Sequence, residues 1–407
     1  MNVGIVGFGK MGAPIFRLIA SRSYEVTVVL RDRKKAKKQE KKYFRGLERS
    51  LRRGAVTEDE YLRQKKCIRF TDRLEDLARA DLVIEAVIEN YQEKGDIFGR
   101  LESIVRRDAA LVSNTSFLSI AELARTLKHR ERFCGLHFFY PVLLIGLVEI
   151  IRADDTPDDL LRVLKEFCGR IGKQSIVVSD APGSVINFIL GFLYIEALYI
   201  LGEGLALPSK IDDLAKRVFY VGPCESIDVI GIDLMYRLFE SIFTPESLAF
   251  SYSSSASRTD LLEKFREDLG SIYVPLIFKK LRAENRLGKR VSKGIYLYEK
   301  DGAIESPPEY YSNSERFRAV NDPAETDELI AMRLLYSIFN GSLYFLKKKN
   351  SSMEELNLGV KEILHMKEGP FSMMRTIGKK KVQENFDFLT LSQGERFRQK
   401  NLDLLEP

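Results

Sequence analysis

Histidine and cysteine are scarce in this chain of 407 residues, with three and four respectively, and tryptophan is absent. The cysteines, Cys67, Cys134, Cys168 and Cys224, stand far apart, with no Cys-x-x-Cys pair and no histidine at ligand spacing. That excludes a disulfide framework and a thiolate metal site, and the four read as reduced, mostly buried thiols. No apolar run is both long and charge-free. The best candidate, Val185 to Leu201, carries Asn187 and Glu196, whereas a bilayer span needs about 20 apolar residues with few or no charges. A buried central helix is expected there, and no membrane segment. The first strand begins at about residue 2, leaving no room for a separate targeting segment, so a cytoplasmic protein is expected. With 45% hydrophobic and 30% charged residues, the chain is neither fibrous nor disordered, and its length calls for two or three domains.

Acidic residues are few in one segment. Between Arg31 and Arg53, 12 Lys/Arg face 3 Asp/Glu, although the whole chain is only +6, so the remainder is net acidic. Two readings stay open: a solvated helix face, or a surface for an anionic partner such as a phosphorylated substrate tail or an acidic carrier protein. Nucleic acid is not expected, since only Tyr43 and Phe44 interrupt the run and no reader motif accompanies it.

Glycine, by contrast, is placed with purpose. Val3-Gly4-Ile5-Val6-Gly7-Phe8-Gly9-Lys10-Met11-Gly12 is an apolar strand ending in a Gly-x-Gly-x-x-Gly turn. Gly7 permits the tight turn, Gly9 lets the backbone approach a pyrophosphate, and Gly12 lets the following helix, Ala13 to Ala20, lie close to the strand. The N-terminus of that helix offers free N–H groups and a partial positive charge to the phosphates. A second apolar strand, Val26 to Leu30, leads to Asp32, twenty residues after Gly12. An acid at that distance is placed to hold the ribose hydroxyls of NAD. A nicotinamide or flavin nucleotide site is expected, and Asp32 favours NAD. Arg31 and Arg33 flank it, but the carboxylate between them would repel an NADP phosphate.

Apolar strands alternate with helical patterns from Met1 to about Asp180, as a doubly wound parallel sheet requires. Further strands are expected at Asp81–Val87, Ala110–Ser113, Arg132–Leu136 and Gln174–Val178. Beyond Ala181-Pro182-Gly183 the period becomes 3.6 with no convincing strand. The expected organisation is a Rossmann α/β domain at 1–182, a helical domain at 183–300, a linker at 301–325 and a second, degenerate helical domain at 326–407. The last two domains look like a duplication. Ile189, Leu190, Leu198, Tyr199 and Leu201 match Leu334, Leu335, Leu343, Tyr344 and Leu346 at an offset of 145, and Gly222-Pro223 meets Gly369-Pro370 at 147. A true repeat would give the helical half its own pseudo-partner, so the chain is expected to be a monomer with an internal pseudo-dimer or a homodimer.

Four further segments fall at or beyond the C-terminal ends of strands, or in the next connection, the edge where an open α/β sheet binds ligands. They are Val83-Ile84-Glu85-Ala86-Val87-Ile88-Glu89-Asn90, Ser113-Asn114-Thr115-Ser116, Gly135-Leu136-His137-Phe138-Phe139-Tyr140-Pro141 and Leu147-Val148-Glu149-Ile150. His129 and His365 lie in charged helical contexts, which leaves His137 as the candidate for the proton transfer that accompanies hydride transfer at a carbonyl or alcohol. Glu85 reads as a strand-end residue.

In these motifs residues 1 to 300 resemble the L-3-hydroxyacyl-CoA dehydrogenase family. The resemblance implies a Rossmann domain followed by helical domains of the 6-phosphogluconate-dehydrogenase C-terminal type. It also implies NAD-dependent, reversible oxidation of an L-3-hydroxyacyl-CoA to the 3-ketoacyl-CoA, as in β-oxidation. By the same resemblance His137 is the acid/base, Glu149 orients its imidazole, Ser116 bonds the reacting oxygen, and Asn187 of the Pro-Gly-x-x-x-Asn segment helps hold substrate. Gly7, Gly9, Lys10, Met11, Gly12, Asp32, Glu89, Lys94 and Asn114 would serve the cofactor, Glu89 and Lys94 near its nicotinamide half. Gly222-Pro223, Asp228, Gly231-Ile232-Asp233 and Gly288 to Tyr296 resemble the helical-domain signatures. Plainer roles exist beside these: a buried structural histidine at 137, a helix N-cap at Ser116 and a backbone cap at Asn187.

Tyr140 replaces the family's usual asparagine after His-Phe-Phe, and Ser184 and Phe188 replace a bulky apolar residue and an arginine. These changes border the substrate, so they bear on the acyl group more than on the reaction. Three other expectations stand beside the acyl-CoA reading: a tailoring dehydrogenase on an acyl-carrier-protein thioester, with residues 31–53 as its docking face; an enzyme for a free hydroxy acid; and a non-catalytic NAD-binding protein.

Overall fold

Short runs of β-branched and apolar residues set between helical segments make strands that must be covered on both faces. In the computed structural model, which describes residues 1–181, 184–242, 274–299, 302–311, 323–399 and 401–405, these runs form one eight-stranded sheet. Its strands are β1 (Asn2–Val6), β2 (Glu25–Val29), β3 (Ile68–Thr71), β4 (Leu82–Glu85), β5 (Ala110–Ser113), β6 (Phe133–Phe138), β7 (Leu147–Arg152) and β8 (Gln174–Ser179). The spatial order is β3-β2-β1-β4-β5-β6-β7-β8. β1 to β6 run parallel; β7 pairs antiparallel with β6, and β8 runs parallel to β7. The chain divides into two compact units, Met1–Asp180 and Ala181–Pro407.

The sheet corrects the sequence reading in two places. β3 and β7 were not expected as strands. β3 has only four residues and follows the helical, lysine-rich segment Glu58–Cys67 directly, so no alternation builds up. In β7 five of six residues are buried, so Leu147-Val148-Glu149-Ile150 shows no period of two. The antiparallel turn follows from the short β6–β7 connection, Phe139–Gly146, since a parallel return needs a crossover of a dozen or more residues.

Helix α1 (Gly12–Ala20) follows β1, α2 (Arg33–Arg52) and α3 (Glu58–Cys67) lie between β2 and β3, α4 (Tyr91–Ile104) follows β4, α5 (Ile120–Ala124) follows β5, and α6 (Asp158–Arg170) joins β7 to β8. The basic α2 is amphipathic. Ala36 and Leu47 are buried, and Tyr43 packs edge-on against Phe16 with centroids 4.8 Å apart while its hydroxyl donates to Gln64 Oε1. Lys37, Lys38, Lys41 and Lys42 are all exposed. The two aromatics that break the charge run therefore face inward.

The second unit is mainly helical. α7 (Val185–Glu203) has almost all of its residues buried. It is followed by α8 (Pro208–Phe219), α9 (Pro223–Ile230), α10 (Ile232–Ile242) and, farther on, the helix Leu276–Ala283. The all-helical expectation is corrected by an antiparallel hairpin, Leu297–Glu299 with Gly302–Ile304. Strands of three residues are too short to show a period, although Asp301-Gly302, whose glycine opens the second strand, is a hairpin signal. Within the segment expected as a linker, Pro308–Tyr311 is helical; residues 312–322 lie outside the described residues, as do Pro182 and Gly183.

One sequence of elements occurs twice in this unit. The long helix α7 corresponds to Pro323–Lys347. α8 corresponds to Met353–Leu364, each closed by a left-handed residue, Tyr220 (φ 53°) and His365 (φ 52°). α9 corresponds to Pro370–Ile377; each starts at the proline of a Gly-Pro pair and ends at a glycine of positive φ, Gly231 (104°) and Gly378 (90°). α10 corresponds to Lys379–Gln393. Val185–Glu203 and Ala324–Lys347 are long and apolar enough to cross a membrane by length and composition, and each is mostly buried within this unit. Arg333, fully buried, pairs with Glu196 Oε1 (2.5 Å) and Glu203 Oε2 (2.6 Å) of α7, and Arg396 pairs with Glu196 Oε2 (2.9 Å).

Candidate active site

The turn after β1 is shaped by glycine. Gly7 has φ +105°, and a Cβ there would meet Ala86 O at 2.5 Å; one on Gly12 would meet Gly7 O at 2.2 Å. No side chain fits at either position, so α1 starts directly against the end of β1. Gly9 is different: a Cβ there would meet nothing within 4 Å. It opens onto a cleft of about 770 Å³ at the C-terminal edge of the sheet, lined among others by Lys10, Met11, Arg31, Glu89, Asn114 and Ser116. A glycine cradle with open space over its middle residue fits a dinucleotide, whose pyrophosphate needs close backbone approach.

Asp32 stands at the end of β2. One carboxylate oxygen accepts from Lys35 N at 2.7 Å and caps α2; that backbone hydrogen bond holds its carboxyl below the usual range. Two nearby cations are paired, Lys35 with Asp32 at 3.5 Å and Arg31 with Glu93 at 3.2 Å, and both line the cleft.

On β6 and β7 the antiparallel register sets His137 opposite Glu149. Both are buried, and His137 Nδ1 lies 2.8 Å from Glu149 Oε2. A carboxylate accepts, so Nδ1 carries the proton and Nε2 is left to exchange one. Ser116 Oγ stands 3.1 Å from Nε2. The structure thus joins Ser116, His137 and Glu149 in one chain of hydrogen bonds, with Ser116 also on the cleft wall. Asn114 lines the cleft as well and accepts from Phe138 N at 2.9 Å, tying β5 to β6.

Glu89 and Lys94 meet each other, but only Glu89 lines the cleft. One oxygen of Glu89 accepts from the Thr115 hydroxyl and from the N–H groups of Ser116 and Phe117, both at 2.9 Å. Burial would raise its carboxyl, yet the Lys94 ammonium and these donors hold it below the ordinary value. Lys94, 1% exposed, lies behind it, donating to Glu85 Oε1 at 2.7 Å. Glu85 is fully buried and is the residue that strand position alone left unassigned; the available signal is a carboxylate ending an otherwise apolar strand, with a lysine nine residues on. Asn187 stands in the second unit, half-buried in the first turn of α7, its N–H donating to Ser184 Oγ at 3.4 Å. Among the described residues no group of three or more His, Cys, Asp or Glu is arranged to hold a metal ion.

Comparison with known proteins accords with this geometry. Residues 2–181 match the family model of the 3-hydroxyacyl-CoA dehydrogenase NAD-binding domain, and residues 183–298 match that of the C-terminal domain. A 3-hydroxybutyryl-CoA dehydrogenase of Bradyrhizobium diazoefficiens is 33% identical over 299 residues, 73% of this chain and 95% of the relative. The crystal structure of (S)-3-hydroxybutyryl-CoA dehydrogenase from Ralstonia eutropha is 31% identical and covers 74% of this chain and 99% of its own, with a TM-score of 0.62. That of the Escherichia coli 3-hydroxybutyryl-CoA dehydrogenase covers 99% of this chain and 97% of its own with a TM-score of 0.79; at 21% identity it is a likeness of fold.

Proposed function

From the premise that the chain belongs to the 3-hydroxyacyl-CoA dehydrogenase family and oxidises a 3-hydroxyacyl-CoA with NAD, we propose that His137 is its acid/base, assisted by Glu149 and Ser116. The observation that carries this reading is the hydrogen-bonded series Ser116, His137, Glu149 reaching the cleft wall. When bound, NAD supplies the two-electron acceptor, held at the glycine turn, Lys10, Met11 and Asn114, with Asp32 at its ribose and Glu89 toward its nicotinamide half. His137 Nε2 takes the proton of the substrate's 3-hydroxyl as the carbonyl forms, and returns it in the reverse direction. Glu149 faces the positive charge that builds on the ring, in a site dry enough for that contact to count. The Ser116 hydroxyl bonds the reacting oxygen and fixes its distance from Nε2. Lys94 acts through Glu89, and Asn187 contributes to substrate holding.

The substrate is an acyl-CoA thioester, and the exposed lysines of α2 support docking of its phosphorylated end; the same surface would suit the acidic face of an acyl carrier protein. The repeated elements of the second unit, with α7 paired to Pro323–Lys347, support a duplicated helical domain and a monomer that carries its own pseudo-partner. Free, widely separated thiols suit the reducing cytoplasm, and the reaction suits a place in β-oxidation. NADH oxidation measured side by side with acetoacetyl-CoA, a longer 3-ketoacyl-CoA, an acyl-carrier-protein thioester and a free 3-keto acid tests the reading. Turnover of the CoA thioesters is expected, and turnover of the free acid alone would overturn it.

A further inference from the structure

The geometry points to Glu85 as a positioning residue for this reaction: a buried carboxylate that fixes the turn carrying Ser116 from two sides. The inference rests on the role given to Ser116 above.

Glu85 ends β4 and Ser113 ends β5, and the parallel register sets them side by side. Ser113 Oγ donates to Glu85 Oε2 at 2.6 Å and accepts from Thr115 N at 3.3 Å, which makes a direct arm from Glu85 into the turn. The second arm runs through Lys94, whose ammonium lies 2.7 Å from Glu85 Oε1 and 3.3 Å from Glu89 Oε2. Glu89 in turn binds the Thr115 hydroxyl and the N–H groups of Ser116 and Phe117. Val87 N donates to the same Glu85 oxygen as Lys94, at 2.7 Å. Both arms end within one residue of Ser116, whose hydroxyl must stay 3.1 Å from His137 Nε2.

A structural carboxylate would not need this arrangement. Glu85 and Lys94 are both almost wholly removed from water, where an ionised group is kept only with charged or hydrogen-bonded partners. Here one ammonium serves two carboxylates and lies nearer Glu85, so neutralising Glu85 removes the anchor of Lys94, draws the ammonium toward Glu89 and shifts, through Glu89, the N–H of Ser116. A displacement of about 1 Å at such a point costs on the order of a hundredfold in rate.

A double-mutant cycle decides the matter. Glu85→Gln, Ser116→Ala and the double variant are compared for kcat and KM with acetoacetyl-CoA, and for NADH affinity by fluorescence titration. In the Ser116 background Glu85→Gln is expected to lower kcat at saturating NADH roughly tenfold or more, beyond any loss of NADH affinity through Glu89, and in the Ser116→Ala background by no more than about twofold, the non-additivity of residues acting as one unit. An equal loss in both backgrounds, or no loss in either, overturns the role assigned to Glu85 while leaving that of Ser116 intact. A Ser116→Ala enzyme with full activity overturns the premise and the proposal together. Ser113→Ala, which cuts only the direct arm, is run through the same cycle under the same criteria, so the outcome stands even where Glu85→Gln does not fold.

Discussion

Glu149 Oε2 lies 2.8 Å from His137 Nδ1 because the two residues are directly opposed across β6 and β7. Their separation of twelve along the chain spans the short connection Phe139–Gly146 and the strand residues on either side of it. His137→Gln is expected to lower kcat by ~10²–10⁴-fold, the usual contribution of an acid/base group, with NADH affinity nearly unchanged by fluorescence titration. A loss below tenfold would remove His137 from the role. Glu149→Gln is expected to lower kcat less than His137→Gln does, because the imidazolium formed in the reaction loses its counter-charge.

Asp32 both caps α2 and stands between Arg31 and Arg33. Serine caps as well as aspartate, so Asp32→Ser removes the charge and keeps the helix start. The ratio of kcat/KM for NADPH over NADH is expected to rise, as guanidinium groups near the ribose then meet a phosphate without the Asp32 carboxylate between them. A wild-type enzyme that already prefers NADPH would contradict the role given to Asp32.

Charge reversal of Lys37, Lys38, Lys41 and Lys42, all exposed on α2, is expected to raise KM for the thioester and flatten its salt dependence while kcat is kept. Attraction at such a surface is screened over ~8 Å at physiological ionic strength, so the wild-type KM should climb with salt and that of the variant should not. An unchanged KM for both CoA and carrier-protein substrates would leave α2 a solvated face.

Deleting residues 326–407 removes Arg333 and Arg396 and leaves Glu196 and Glu203 without those partners on α7. It also bares the apolar face that Pro323–Lys347 covers. Dimerisation or aggregation of the truncated chain is expected by light scattering, against a monomeric full-length protein. A truncated chain that remained monomeric, soluble and active would show the C-terminal segment to be an appendage.

Asp212 and Asn357, 145 residues apart, make the same contact in the two halves of the second unit. Asp212 accepts from Cys224 N (2.7 Å) and Glu225 N (3.0 Å), and Asn357 accepts from Phe371 N (3.0 Å) and Ser372 N (3.2 Å). Burial pushes the Asp212 carboxyl up to about 6, from 3.8. A carboxyl raised in the folded state binds more protons there than in the unfolded chain, so stability falls as pH rises from about 4 to about 6 and stays low above. Asp212→Asn is expected to abolish that fall, about 1–3 kcal/mol, read as Tm against pH; an unchanged pH dependence would contradict the shift.

The sequence by itself determined the glycine turn, the alternation of strands and helices to residue 180, and the candidate His137, because each depends on local chemistry: a position that admits no Cβ, a run of β-branched residues, the one histidine placed at the C-terminal end of a strand; Ser116 and Glu149 followed from the resemblance to the family. Tertiary structure alone decided that Leu147–Arg152 is a strand reversed against its neighbour, since a fully buried strand has no alternation to read. It also decided that Lys94 lies behind Glu89 and that Glu85 is no mere strand end. Their roles depend on which side chains share a dry interior, and a buried charge acquires its partner only when strands 28 residues apart, at Glu85 and Ser113, are set side by side.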